Sequence, residues 1–374
     1  MSLGIRDRHN NFAMKHENIP RRSFLTGALA LAGSGLTAPL LSAEQSRMSY
    51  SGPKIDCQSH LYCPKIVELM EKRTSDPKVY LNDGVKIMQM GDWLRKILPF
   101  YTDVDAKIAV MDANRITQTA ISINDPGPEW FGTQGVEVAR IANDYIAGLV
   151  RTYPKRFLGL CVLPLQDAKA SLAELNRCDK ELGMKGILMY TNVAGRFVDE
   201  PDFLWLYAEA EKRGMPILLH PGKPLTTEIV KDYEMTSSLG NMFDNTIALN
   251  RIILSGLLDR HPDLKLVCPH LGGTLPYMIG RIDHQVGVLK RGPQHLKHKP
   301  SDYLHRVWFD IVSPPPTAIK YCYDMFGADR LIYGSDHPWV DPAVVSDALL
   351  SLRLPQEVEE KIFYKNAQRL FNLI

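Results

Sequence analysis

Short, strongly apolar runs alternate with longer amphipathic stretches from residue 54 onward. The apolar runs predict eight β-strands, over 54–57, 117–123, 157–163, 186–190, 216–220, 265–269, 307–311 and 330–333. The amphipathic stretches predict helices over 105–114, 134–152, 168–182, 203–213, 241–260, 276–289, 316–326 and 342–352, with a final helix at 355–371. Strands separated by helices of ten or more residues must pair in parallel, because each crossover returns along a face of the sheet.

Consecutive strand–helix units in this number predict a closed (β/α)8 TIM barrel, an α/β fold with one domain over residues 44–374. The alternative is a doubly wound open sheet, which would carry a glycine-rich phosphate-binding turn after its first strand. The residues at that place are Gln58-Ser59-His60, which do not fit such a turn. The barrel is therefore the predicted fold.

The connection between the first two strands, residues 58–116, is much longer than an ordinary βα loop. It predicts an insertion above the barrel, with several aromatic residues that include Trp93. Long insertions at this end of a barrel form lids or substrate walls, which makes Trp93 a candidate substrate-binding residue. A structural cap that packs the same aromatic side chains is the alternative.

The first 43 residues have the pattern of a leader peptide. A basic start that ends in Arg21-Arg22 precedes an apolar, glycine- and alanine-rich segment at 27–41. This order resembles a twin-arginine signal, and it predicts cleavage near Ser42-Ala43. The apolar segment is too short and too interrupted for a stable membrane anchor, and an accidentally basic disordered terminus is the other alternative. We expect export by the twin-arginine machinery to a periplasmic or other extracytoplasmic location.

Charge and cysteine content exclude several classes of function. The 374 residues include 44 basic and 42 acidic ones, a net charge of +2. The leader holds five of the basic and two of the acidic residues, so residues 44–374 carry about −1. We therefore expect no nucleic-acid partner. The scattered cysteines form no CxxC pair and are interpreted as small buried hydrophobes: Cys57, Cys63, Cys161, Cys178, Cys268 and Cys322.

Polar residues recur where the predicted strands end. His60 follows strand one, His220 ends strand five, His270 follows strand six and Asp336 follows strand eight. The carboxyl ends of barrel strands form one rim, where barrel enzymes place their active sites. Gln58 and His60 are two residues apart, so both side chains face the same side. Three histidines and a carboxylate at one rim predict a metal or acid–base site, although each histidine alone would be interpreted as structural.

Four segments surround these residues. They are Ile55-Asp56-Cys57-Gln58-Ser59-His60, Ile217-Leu218-Leu219-His220-Pro221, His270-Leu271-Gly272-Gly273 with the following Gly280-Arg281, and Gly334-Ser335-Asp336-His337-Pro338. Together they resemble the amidohydrolase superfamily, and within it the amidohydrolase-related branch that contains aminocarboxymuconate-semialdehyde decarboxylase. The resemblance spans residues 54–372. Each motif is weak singly, but the combination is specific to the branch.

The resemblance implies a role for each residue. His60 and His220 would bind one divalent ion, zinc or manganese, and Asp336 would complete the set of ligands. His270 would lie outside that set and transfer protons, with Asp336 as a second catalytic group. His337, next to Asp336, is a further candidate proton carrier, but neighbours at a strand end point apart and a structural role is favoured.

The resemblance also implies a carboxylate substrate and a homodimer. Arg281 would grip the substrate carboxylate, in some members across a dimer interface, and a planar guanidinium suits two carboxylate oxygens. A salt bridge between Arg281 and Asp283 is the structural alternative.

Gln58 departs from the pattern, because the branch has histidine or a carboxylate at this position. An amide oxygen is uncharged and a weaker donor, so metal affinity should fall and the preference should move toward harder ions or toward an empty site. Two histidines and one aspartate remain sufficient for an open catalytic site. Gln58 is predicted to line the site, and its contact with the ion is left open.

Three functions fit these residues. The first is a metal-dependent decarboxylase, a carbon–carbon lyase acting on a small unsaturated or aromatic carboxylate, which the branch and Arg281 favour. The second is a metal-dependent hydrolase of a lactone, amide or related bond, which the same residues allow. The third is a metal-free binding protein on the same barrel, which Gln58 keeps open.

Overall fold

The computed structural model describes residues 50–313 and 315–373. The predicted leader and its cleavage site at Ser42-Ala43 lie outside these residues, so the domain boundary remains a prediction. The strands, numbered along the chain, are β1 (Lys54–Leu61), β2 (Lys78–Asn82), β3 (Val85–Met90), β4 (Trp93–Ile97), β5 (Ile116–Ile123), β6 (Phe157–Cys161), β7 (Gly186–Tyr190), β8 (Asn192–Val193), β9 (Arg196–Phe197), β10 (Ile217–His220), β11 (Leu266–Cys268), β12 (Trp308–Asp310) and β13 (Leu331–Ile332).

Eight of these strands form one sheet in the order β1-β5-β6-β7-β10-β11-β12-β13, and every pair is parallel. The ends of the sheet meet, because the Cys57 amide donates to the Tyr333 carbonyl at 2.9 Å and the His60 amide donates to the His337 carbonyl at 2.8 Å. The predicted (β/α)8 barrel is confirmed. Its strands are the eight predicted ones, although β1 extends four residues further than expected, so Gln58 and His60 lie on the strand and not after it.

Helices follow the barrel strands. They are α1 (Pro64–Glu71), α2 (Val104–Ala113), α3 (Gly135–Thr152), α4 (Ala168–Lys180), α5 (Leu204–Arg213), α6 (Thr227–Val230), α7 (Asn241–Leu254), α8 (Leu257–Arg260), α9 (Leu275–Asp283), α10 (Pro316–Phe326), α11 (Pro342–Ser351), α12 (Gln356–Glu360) and α13 (Asn366–Leu370). Short 3-10 helices cover Pro99–Tyr101, Pro128–Gln134, Pro201–Phe203, Asp232–Glu234, His270–Gly272 and Pro300–Arg306, and π-helical turns cover Thr236–Gly240, His284–Val288 and Lys361–Lys365. In the described part of the chain, none of the helices has the length and apolar character needed to cross a membrane.

The predicted helix over 241–260 is in fact two helices. Gly256 has φ +72°, a left-handed conformation that ends α7 and starts α8. The predicted final helix at 355–371 contains a π-helical turn at Lys361–Lys365 between α12 and α13. Apolar periodicity alone does not register either change, because it continues through both.

The core has two layers. One cluster fills the space between the barrel and its surrounding helices. A second, smaller cluster gathers alternate strand residues inside the barrel and is closed by the last helix; its members are Ile55, Cys57, Ala120, Leu158, Leu160, Leu218, Val267, Trp308, Ile332, Ala367, Leu370 and Phe371. Apolar side chains therefore fill the barrel below the rim, which leaves the polar strand ends together at the top. All six cysteines are free and buried, as predicted.

The insertion after β1 contains a three-stranded antiparallel sheet, β2-β3-β4, which the hydrophobic pattern did not predict. Asp83 (φ +49°) and Gly84 (φ +77°) form the two-residue turn between β2 and β3. An Asp-Gly pair between short strands is a hairpin signal that could have identified this sheet. Trp93 begins β4 and is buried.

Candidate active site

His60, His220 and Asp336 converge at the carboxyl ends of three barrel strands. Their ligand atoms all lie within 4.8 Å of one another, and we call these residues the ligand triad. His60 Nε2 is 3.2 Å and His220 Nε2 is 3.4 Å from the same carboxylate oxygen, Asp336 Oδ1. All three side chains are buried. Two imidazoles and one carboxylate aimed at one point are a donor set suited to a divalent transition-metal ion.

The backbone at Asp336 is held in an unusual conformation. Its φ is +57°, a left-handed value that costs a non-glycine residue on the order of 1–3 kcal/mol. The Asp336 amide donates to the Gln58 carbonyl at 2.8 Å, and this bond ties the loop after β13 to β1. The preceding residue, Ser335, donates its amide and its hydroxyl to the two oxygens of Asp56 at 2.9 and 2.6 Å. These bonds fix the carboxylate of Asp336 above the strand that carries His60.

His270 and Gln58 complete the contacts of Asp336. His270 Nε2 lies 3.5 Å from Asp336 Oδ2, and the Gln58 side-chain amide donates to Asp336 Oδ1 at 3.2 Å. Asn245 Nδ2 donates to His270 Nδ1 at 3.0 Å, so the neutral ring carries its proton on Nε2 and directs it toward Asp336. His270 therefore lies beside the ligand triad, with a mobile proton facing the site.

The charges of these groups suit cation binding. Burial lowers the pKa of His60, and burial with the nearby His60 lowers the pKa of His220 to about 4. Burial opposes ionisation of Asp336, but the hydrogen bonds from the three imidazoles hold its pKa well below the usual range. Burial likewise acts against the charged form of His270, yet its bond to Asp336 and that carboxylate's charge raise its pKa. The triad thus has neutral imidazoles and an ionised carboxylate, the protonation states that bind metal.

The site passes a simple test of fit for a metal ion. Gln58 Oε1 is buried and has no hydrogen-bond partner among the described residues, although a buried acceptor without a partner costs about 1–3 kcal/mol. A bound cation would give this oxygen the partner that it lacks. The ligand triad, with Gln58 beside it, therefore fits one divalent ion.

Three residues that support the site were not predicted. Asp310, the last residue of β12, accepts from the His270 amide at 2.8 Å, and burial raises the pKa of its carboxyl to about 6. Ser122 Oγ lies 2.7 Å from His60 Nδ1, and Asn245 contacts His270 as described. Asp310 could have been found by the rule that identified the histidines, since it too lies at a strand end. Ser122, the next-to-last residue of β5, meets the same rule, whereas Asn245 lies on helix α7 and gave no such signal.

His337 is turned to a different partner. The buried Lys107 of α2 donates to His337 Nδ1 at 2.8 Å and to the His337 carbonyl at 3.2 Å. Burial lowers the pKa of Lys107 to about 7. This position matches the structural role favoured for His337.

The two predicted substrate-binding residues lie in different places. Trp93 is buried and packs on Arg95, whose guanidinium lies 4.2 Å from the Trp93 ring centre and 4.3 Å from that of Trp339. Arg281 is exposed on α9. Among the described residues no carboxylate forms an ion pair with it, so the structure does not contain the alternative salt bridge to Asp283.

Comparison with known proteins adds to this geometry. The family model described as amidohydrolase matches residues 55–373. A gamma-resorcylate decarboxylase from Rhizobium sp. (strain MTP-10005) is 31% identical over 300 residues, 76% of this chain and 91% of the relative. A 2-amino-3-carboxymuconate-6-semialdehyde decarboxylase from Dictyostelium discoideum is 29% identical over 296 residues, 76% of this chain and 82% of the relative.

A solved structure is also similar. It is a dihydroxybenzoic acid decarboxylase from Polaromonas sp. JS666 with bound manganese and the inhibitor 2-nitroresorcinol, at 25% identity and a TM-score of 0.70 over 86% of this chain and 97% of that one. The resemblance inferred from the strand-end motifs is confirmed over nearly the whole described chain. The protein belongs to the amidohydrolase family, in the branch of amidohydrolase-related decarboxylases.

Proposed function

We propose that this protein is a metal-dependent, non-oxidative decarboxylase that acts on a small aromatic or unsaturated carboxylate. The observation that carries the proposal is the convergence of three imidazoles, those of His60, His220 and His270, on one buried carboxylate, Asp336. Hydrolases could use the same side chains, but the relatives reported above are named as decarboxylases.

Different residues of the site have separate roles in the reaction. A divalent ion bound by the ligand triad would orient substrate oxygens and stabilise the negative charge that develops during bond cleavage. The bond to the carboxyl carbon breaks, carbon dioxide leaves, and the electron pair remains on the substrate carbon. His270 Nε2 delivers a proton to that carbon. Asn245 fixes the ring nitrogen that carries the proton, and Asp336 holds that nitrogen toward the site.

Manganese is the ion that we propose, with zinc as the alternative. The amide oxygen of Gln58 adds a hard donor to the site, and oxygen ligands favour manganese over zinc more than imidazoles do. The Polaromonas relative contains manganese. Elemental analysis of protein purified without added metal, followed by reconstitution with each ion, would identify the metal that restores activity.

A homodimer would explain the position of Arg281. The same region exposes Tyr277 by 84% and Val288 by 68%, an apolar surface suited to contact with a second copy. We propose that Arg281 acts on the substrate carboxylate of the partner subunit. Light scattering should give a dimer mass, and Tyr277→Glu should convert it to the monomer mass.

Export by the twin-arginine pathway rests on the first 43 residues alone. Expression of the full chain should give a shortened periplasmic product. Arg21→Lys together with Arg22→Lys should keep the uncleaved chain in the cytoplasm, and equal export of both forms would contradict the proposal.

Carbon dioxide release tests the main proposal. The metal-loaded protein would be incubated with a panel of hydroxybenzoates, including 2,6-dihydroxybenzoate, and with lactones and amides. Release of carbon dioxide from a carboxylate supports the decarboxylase. Hydrolysis of a lactone or amide without such release would favour a hydrolase. A protein that catalyses neither reaction and binds no metal would favour a binding protein.

A further inference from the structure

Five buried polar residues lie together above the barrel rim, beside the ligand triad. We call them the mouth cluster: Tyr62, Asn124, Asp125, Glu129 and Tyr190. Tyr62 follows β1, Asn124 and Asp125 follow β5, Tyr190 ends β7, and Glu129 lies in the 3-10 helix Pro128–Gln134. Each is at most 8% exposed. Carboxyl ends of three barrel strands therefore contribute to the cluster, as they do to an active site.

Every member of the mouth cluster has a polar atom without a partner. Within residues 50–313 and 315–373, no hydrogen bond reaches Tyr62 Oη, Asn124 Nδ2, Asp125 Oδ2, Glu129 Oε1 or Tyr190 Oη. A buried polar group without a partner costs about 1–3 kcal/mol, and native proteins contain few of them. Five in one place indicate a surface built to contact a ligand.

Contacts within the cluster place it next to the reaction site. A Cβ built on Gly127 would lie 2.4 Å from both Glu129 Oε2 and Tyr190 Cε2, so this carboxyl group and this ring face each other across a glycine. The Tyr190 ring centre is in turn 6.3 Å from that of His220. Tyr190 therefore links the ligand triad to the mouth cluster.

The unpartnered atoms define the chemistry of the ligand. Asp125 Oδ1 already accepts from Arg95 Nη1 at 2.9 Å, which neutralises its charge and leaves Oδ2 as a free acceptor. Burial raises the pKa of Glu129 to about 8, and burial with the charges of Asp125 and Glu129 raises the pKa of Tyr190, whose hydroxyl stays neutral. Asp125 Oδ2 thus requires a hydrogen-bond donor, whereas the neutral carboxyl of Glu129 and the hydroxyl of Tyr190 can each donate as well as accept. A ligand group that donates to Asp125 therefore fits the cluster.

We propose that the mouth cluster is the subsite for a hydroxyl or amino group at the far edge of the substrate ring. This deepens the proposed function and depends on it for the orientation of the ring. The substrate is then an aromatic carboxylate with a donor substituent meta or para to the carboxyl group that leaves. Asp125 determines the specificity by accepting a hydrogen bond from that substituent at Oδ2.

Matched ligands test the subsite. Salicylate would be compared with its 4-hydroxy, 4-amino and 4-methoxy derivatives on the manganese-loaded protein, with affinity measured by calorimetry and carbon dioxide release measured separately. We expect the 4-hydroxy and 4-amino compounds to bind at least about tenfold more tightly than salicylate and the 4-methoxy compound, because only they donate to Asp125 Oδ2.

Asp125→Asn is the decisive variant, since its amide oxygen can still accept from Arg95 while an N–H group replaces the free acceptor Oδ2. It should reduce the preference for 4-hydroxy over 4-methoxy to less than about threefold. Glu137→Gln, an exposed change of the same kind, should leave the preference unchanged. A wild-type protein that binds the four compounds equally, or none of them, would overturn the proposal, as would an Asp125→Asn variant with unaltered preference.

The two measurements separate this proposal from the proposed function. Preferential binding that is lost in Asp125→Asn, without carbon dioxide release, would retain the subsite and contradict the decarboxylase. Carbon dioxide release without any preference among the four compounds would retain the decarboxylase and contradict the subsite.

Discussion

Single ring nitrogens determine the chemistry of the site. His60, His220 and His270 all direct Nε2 at Asp336, and the other nitrogen of His60 and of His270 is bound by Ser122 and Asn245. A partner at Nδ1 fixes both the tautomer and the ring orientation. All three histidines face the carboxylate of Asp336. Their positions around it therefore decide whether a histidine binds the ion or transfers a proton.

His270→Asn tests this division of roles. The variant should retain its metal, because His270 is outside the ligand triad, while kcat falls by about 100- to 10,000-fold through loss of the proton donor. Metal content would be measured by elemental analysis and turnover by carbon dioxide release. His305→Asn, an exposed change, is the matched control. Unaltered turnover in His270→Asn would show that another group delivers the proton.

Gln58→Glu should increase metal affinity. Without metal, the new carboxylate would lie beside Asp336, at the place where Gln58 now donates at 3.2 Å, and the two charges would repel. With a divalent ion bound, the same negative charge attracts the ion and strengthens its binding. We expect at least about tenfold tighter manganese binding in competition with a chelator, equivalent to about 1.4 kcal/mol. Equal affinity in both proteins would mean that the side chain at position 58 does not contact the ion.

Glu129 should make stability depend on pH. Burial raises its folded-state pKa from 4.5 to about 8, so its contribution to folding is complete below pH 4.5 and is lost as the pH rises to 8. Glu129→Gln stays neutral throughout. The free energy of unfolding of the wild type, relative to this variant, should therefore decrease by a few kcal/mol over that range, at about 1.4 kcal/mol for each tenfold change in proton affinity.

Urea unfolding at several pH values would measure this difference. Glu137→Gln, at an exposed position, should show no comparable trend. A pH-independent gap between the wild type and Glu129→Gln would contradict the assignment of a raised pKa.

At the scale of elements, the seam between β1 and the loop after β13 has two functions. It closes the barrel, and it brings His60 and Asp336 from opposite ends of the chain into contact. Asp56 lies at the centre of this seam. Its carboxylate accepts from the backbone N–H and the hydroxyl of Ser335 and from the backbone N–H of Gln58. Stability and metal binding should therefore change together when the seam is altered.

Asp56→Ala should lower the free energy of unfolding by about 3 kcal/mol or more, because it leaves three buried donors without their acceptor. It should also weaken manganese binding. Asp103→Ala removes an exposed N-cap of α2 and should cost only about 1 kcal/mol with unchanged metal affinity. Denaturant unfolding and metal titration would measure both effects. Equal losses in the two variants would argue against a special role for the seam.

At the scale of the whole molecule, the barrel has an apolar lower half and a polar rim. The interior cluster, closed by Ala367, Leu370 and Phe371, keeps water and polar groups out of the lower half. The ligands at the rim come from strands at the start, middle and end of the chain. A bound ion should therefore stabilise the entire fold and not only a local loop.

Manganese at about 100 times its Kd should stabilise the folded protein by about 2.7 kcal/mol, which raises Tm by about 4 °C for a domain of about 330 residues. Calorimetry of chelator-treated and reloaded protein would measure the shift. His220→Ala removes one member of the ligand triad and should abolish most of it. A shift of the same size in His220→Ala would place the stabilising ion elsewhere.

Much of the barrel follows from local pattern. The eight barrel strands, the parallel order and the strand-end positions of His220, His270 and Asp336 could be predicted from apolar runs and their spacing. The break at Gly256 and the π-helical turn in the last helix could not, because hydrophobic periodicity passes through both. The hairpins of the insertion were missed although Asp83-Gly84 signalled one of them.

The sequence by itself determined the alternation of strands and helices and the polar residues at the strand ends, because both depend on contacts between near neighbours in the chain. Only the tertiary structure decided that Asp310, Ser122 and Asn245 support the histidines, and that Arg95 lies between Trp93 and Trp339. The residues of the mouth cluster are likewise brought together only by the tertiary structure. Closing the barrel brings residues more than a hundred positions apart within hydrogen-bond distance, and which atoms then have partners depends on three-dimensional packing that no local pattern encodes.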